Sequence, residues 1–101
     1  FPTRRSSDLA VRLDIAHGKA GAAIGMGSNS RALAIRAKDL PAFFSTIASN
    51  AQHPFIPQTG AVLIVDTQGT IMGAVGASGG TGDEDEEIVI AGIAAVGLRH
   101  L

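Results

Sequence analysis

The chain has 101 residues, 13 of them glycine, with no cysteine, tyrosine or tryptophan and a formal net charge of −1. That length allows one small domain with little stability to spare. The lack of cysteine excludes disulfides, thiolate metal sites and cysteine nucleophiles, and the near-neutral charge argues against nucleic acid or a lipid headgroup surface as partner.

Residues 1–9, FPTRRSSDL, are polar, basic and without periodicity. They read as a leader foreign to the domain, which then occupies residues 10–101. They lack the apolar region of a signal peptide. No apolar run approaches the ~20 residues that cross a bilayer; the longest, Ile88 to Leu98, contains Gly92 and Gly97. Together with the missing cysteines, this suits a cytoplasmic protein.

The spacing of Leu13, Ala16, Ala20, Ala23 and Ile24 predicts a helix over 11–26 with an alanine-rich buried face. Gly18, Gly21 and Gly25 weaken that helix but allow another backbone to come close. GMGSNS breaks it, and Ser28 or Ser30 offers a cap for a short second helix, Arg31 to Lys38. A third helix follows in DLPAFFSTIASNAQ, with Pro41 in its first turn and Phe43, Phe44 and Ile47 on its buried side. Pro54 and Pro57 end it. AVLIVD, the turn DTQG and TIMGAVGA then predict a β-hairpin over 61–77, with Gly73 and Gly76 inside its second strand.

Residues 83–98 read as a helix because Thr81 with Glu84 forms a capping box, with Asp83 and Glu86 as a second register. Arg99 and His100 sit at its far end, where positive charge is favourable. The order is therefore α-α-α-β-β-α. Two strands do not make a stable sheet alone, so further strands are expected from outside this sequence or from a partner subunit.

Between the hairpin and the last helix, Gly79, Gly80 and Gly82 lead into five consecutive acids, Asp83 to Glu87. A phosphate loop would need a lysine here, and the dinucleotide fingerprint would need glycine where Asp85 stands. Acids in a first turn instead stabilise a helix N-terminus. GASGG matches the spacing of a nucleophile elbow, but an acidic first turn crowds Ser78, and no other catalytic arrangement has a supporting local motif.

GAVGASGGTGDEDEEIVIAGIAAVGL resembles the C-terminal signature of the GlcG/HbpS-like family of haem-binding proteins, through Gly73, Val75, Gly76, Ser78, Gly79, Asp85, Glu86, Ala91 and Gly92. LDIAHGKAGAAIGMGSNSRAL resembles that family's central helix through Ala16, Lys19 and Ala20, and TGAVLIVDTQGTIMGAVG its hairpin. The resemblance covers roughly residues 13–98. It implies a profilin-like α/β (α+β) domain, an antiparallel sheet flanked by helices, from which the family's first helix and hairpin are missing. It also implies a homo-oligomer and a haem or other small planar ligand, in a binding module rather than an enzyme.

Haem iron takes histidine, methionine, cysteine or tyrosine. Here that leaves His17, His53, His100, Met26 and Met72, of which His17 lies on the central helix beside glycines. His53 reads as a loop residue, His100 as a helix cap and Met72 as packing. Lys19 and Arg31 read as solvated cations, able to meet haem propionates. The candidate cofactor-binding residues are His17, Lys19, Gly73, Gly76, Ser78 and Gly79. Two other readings stay open. In one, Asp83, Asp85 and Glu86 hold a divalent cation in a small-molecule enzyme, since hard cations prefer carboxylate oxygens. In the other, residues 78–92 form a subunit contact, and Gly76→Val is expected to split the oligomer.

Overall fold

The computed structural model describes the chain from Pro2 onward, with side chains from Ala10 onward. The elements run α1 (Pro2–Met26), α2 (Ser30–Asp39), α3 (Pro41–Asn50), β1 (Ala61–Val65), β2 (Ile71–Gly76), α4 (Gly82–Ala95) and β3 (Arg99–His100). Four helices around one antiparallel sheet make an α+β fold in the expected order, with a short strand added at the end. The leader expected over 1–9 lies outside the described side chains; its backbone from Pro2 is continuous with α1.

The sheet order is β2-β1-β3. β1 and β2 form the expected hairpin, paired from Ala61↔Gly76 to Val65↔Ile71 with a bulge between Ile64 and Val65. Asp66 builds the turn: its Oδ1 accepts from the N–H groups of Gln68 and Thr70, each at 2.9 Å.

Arg99 and His100 do not cap the last helix. α4 ends at Ala95, and the chain turns back so that Val65 pairs Arg99 and Ile64 pairs His100. Earlier on β1, at Ala61 and Leu63, the same edge is finished by side chains. Ser30 Oγ accepts from Ala61 N–H at 2.8 Å and donates to its carbonyl at 3.2 Å. Asn29 Oδ1 accepts from Leu63 N–H at 2.8 Å, and Leu63 O accepts from Leu101 N–H. Neither serine caps α2. Asn29 stands at the N-cap, and the fully buried Ser30 serves β1. Buried backbone groups need partners, and a hydroxyl supplies both a donor and an acceptor where no strand runs.

β1 is apolar throughout because both of its faces are covered, whereas β2 is largely exposed and Met72, expected as packing, stands at 63 % exposure. Ala61 and Leu63 pack with Ala23 of α1 and Ala74. Val62 packs with Val89 and Ile93 of α4 on the other face. A third cluster, Ala22, Leu33 and Phe44, joins α1, α2 and α3.

The buried face of α1 is rotated from the expected one. Leu13 and Ile24 are exposed, while Lys19, Ala22 and Ala23 are buried. On α3, Phe44 is buried but Phe43 is half-exposed, edge-on to it with ring centroids 5.5 Å apart.

At Gly76 a β-carbon would collide with the Ala16 carbonyl of α1. This glycine lets helix and sheet touch, so Gly76→Val tests helix packing before any oligomer.

Candidate functional site

A large cleft, about 720 Å³, lies between α1, α2, the Pro57–Thr59 segment and the glycine loop that precedes α4. Its volume falls in the range of small-molecule sites. Ile15, Ala34, Ala37 and Pro57 supply apolar wall. Arg12 and Lys38 are exposed and cationic, while Lys19 and Asp85 are the buried charges deeper in. Ser78 and Gly79 line the loop side.

Lys19, expected as a solvated cation, is only 5 % exposed. Its ammonium donates to Asp85 Oδ2 at 3.2 Å and to the Ala77 carbonyl at 3.1 Å. Gly60, at φ +136°, makes room for it, since a β-carbon there would fall 2.7 Å from Lys19 Nζ. Asp85, 3 % exposed, accepts from Gly80 N–H through its other oxygen at 3.0 Å. A buried charge is tolerated only when paired and hydrogen-bonded. The arrangement therefore ties α1 to the end of β2, the glycine loop and α4.

This pair and its neighbours account for most of the acidic run. Glu84 completes the capping box: Thr81 Oγ1 accepts from Glu84 N–H, and Glu84 Oε1 accepts from Thr81 N–H. Asp83 and Glu86 both grip Arg31 on α2. Hydrogen bonds that it donates to Glu86 and then to Asp83 hold the Arg31 guanidinium above its usual pKa. A raised cation pKa favours the fold below the ordinary arginine range and loses that effect only above it, so this clasp's arginine stays charged at any physiological pH. Glu84 and Glu87 are the exposed members without an ion-pair partner among the described residues, and Glu87, unlike Glu84, makes no capping contact either.

The three carboxylates considered as cation ligands are thus divided, Asp85 facing Lys19 while Asp83 and Glu86 face Arg31. Among the described residues no group of three or more histidine, aspartate or glutamate side chains could hold a metal ion.

Of the expected cofactor-binding residues, the structure brings Lys19, Ser78 and Gly79 to the large cleft. Gly76 serves the contact with α1, and a β-carbon on Gly73 would meet nothing within 4 Å. His17 is separated from Lys19 by the turn of the helix. It lines a second cleft of about 250 Å³ with His53, Gly21 and Ala74. His53 lies in the bend after α3. Its ring lies against Gly21 and Gly25 of α1, and its Nδ1 donates to the Pro54 carbonyl at 3.1 Å. A carbonyl only accepts, so this hydrogen bond requires a proton on Nδ1. Arg12 and Lys38 were missed in sequence, since each is an ordinary helix-surface cation until α1 and α2 pack.

Fold and cleft together define a small α+β domain with a ligand-sized, cation-flanked recess at one end of its sheet. The model of the family described as haem degrading protein HbpS-like matches residues 3–94, and the chain belongs to that family. No curated protein and no solved structure matches. Among the described residues no helix is long and apolar enough to cross a membrane.

Proposed function

We propose that this chain is a binding module of the HbpS-like type, taking haem or a similar small planar ligand in the cleft between α1, α2 and the glycine loop. The observation that carries this is the cleft's composition: apolar walls from Ile15, Ala34, Ala37 and Pro57 beside the cations Arg12 and Lys38. A planar ring with carboxylate arms needs that combination. The family membership supports a haem-related role in general terms.

Fit to haem is good at its edges and lacking at its centre. Arg12 and Lys38 suit the two propionates, and the aliphatic side chains suit the ring. Among the described residues, none that lines the cleft is a histidine, methionine, tyrosine or cysteine, the side chains that ligate haem iron. His17 opens onto the other cleft. In this reading the module grips the porphyrin and leaves the iron's axial positions to groups other than its own cleft side chains. Haem, when bound, supplies the redox and oxygen chemistry; the chain supplies walls and charge.

Hemin titration followed at the Soret band tests the reading. Saturable binding at micromolar protein is expected, retained in His17→Ala and weakened in Arg12→Ala/Lys38→Ala. The absence of any Soret shift would defeat it.

A further inference from the structure

Lys19 carries more capacity than its contacts use. An ammonium has three N–H donors; Asp85 Oδ2 and the Ala77 carbonyl take two. The side chain is 94 % buried by its 6 % exposure, yet Lys19 and Asp85 both line the large cleft. Asp85 has both oxygens engaged, one by Lys19 and one by Gly80 N–H, so the ammonium is held in place. Farther out stand Arg12 and Lys38, neither with an ion-pair partner among the described residues. The Arg12 guanidinium reaches the glycine loop, 3.8 Å from where a Gly79 β-carbon would lie. Three cations therefore share the cleft with one carboxylate.

We infer that the cleft recognises a carboxylate group, received at depth by the third N–H of Lys19 and drawn in by Arg12 and Lys38. Asp85 acts as a positioning residue that fixes the lysine. A carboxylate accepts several charge-assisted hydrogen bonds at once, and an anion there balances the cleft's excess positive charge. The apolar walls select a ligand whose body is hydrophobic. The carboxylate comes either from a haem propionate or from a free aromatic or aliphatic acid. The inference rests on the preceding reading only in taking this cleft as the binding site.

The test compares ligands that differ only at that group. Hemin and hemin dimethyl ester are titrated against the full chain at the Soret band. Benzoate and benzamide are titrated by calorimetry. Recognition of carboxylate predicts that the ester binds at least about tenfold more weakly than hemin, the loss expected for a missing charge-assisted hydrogen bond. Arg12→Ala and Lys38→Ala, both at exposed positions, should each weaken hemin by a similar factor and leave the ester unchanged. Equal binding of hemin and its ester would overturn the inference while leaving haem binding intact. Should neither haem bind, the haem reading fails and benzoate decides: binding that benzamide lacks and Lys38→Ala loses supports the carboxylate site, and no binding of benzoate overturns it. Lys19 is read in the unaltered protein by its ammonium 15N resonance. That signal should shift as the carboxylate ligand saturates the cleft; a fixed signal at saturation would overturn the role given to Lys19.

Discussion

At the scale of single residues, the structure concentrates its sensitivity in a few contacts. Gly76 lies against the Ala16 carbonyl. Gly76→Ala is expected to cost about 1–3 kcal/mol, the usual range for forcing extra volume into a packed contact, measured by urea denaturation. The Lys19–Asp85 pair makes a sharper case. Asp85→Leu strands a buried ammonium, and removing one partner of such a pair costs about 3–5 kcal/mol. Lys19→Met combined with Asp85→Leu should recover most of that loss, because an apolar pair of similar volume is often neutral. The same denaturation measurement checks both variants; a double variant as unstable as the single would show that the pair is not a closed unit. Neither contact was legible from the sequence. Lys19 falls one position off the alanine stripe of α1 and reads as solvated, and only the return of α4 past the end of the sheet brings Asp85 to it. The glycine-rich character of the site was legible, but the partner of each glycine was not.

At the scale of elements, local signals and long-range pairing divide cleanly. The helix starts were written in short patterns: Pro41 opens α3, and Thr81 with Glu84 caps α4 as its capping box predicts. Thr81→Ala should therefore cost about 1 kcal/mol, seen as a lower midpoint in thermal or urea unfolding. The hairpin was legible too, since Asp66 and Gly69 bracket its turn between apolar runs. What escaped was the second edge of β1. A two-residue strand at Arg99–His100 has no periodicity to detect, and nothing in Asn29 or Ser30 distinguishes a strand-completing side chain from a helix cap. Ser30→Ala would leave the Ala61 N–H and carbonyl without these partners. A loss of about 1–3 kcal/mol is expected from such unmet buried groups, and faster amide exchange at Ala61 would locate it.

At the scale of the whole molecule, the two faces of the sheet are covered unequally. α1 is backed by α2 and α3 through the cluster of Ala22, Leu33 and Phe44. α4 covers the opposite face alone and incompletely: Ile88, 65 % exposed, and Val96, just past the helix end and 71 % exposed, line an open groove with Val75 and Gly76. Ile88→Lys is accordingly expected to change stability by no more than about 0.5 kcal/mol, measured by thermal unfolding; a larger loss would mean that Ile88 is covered in solution. The two unequal layers meet through the ammonium of Lys19 at one end of the sheet. That bond works as a bolt through a laminate: the layers cannot slide past one another without shearing it. Whatever bears on the bolt therefore bears on both plies together.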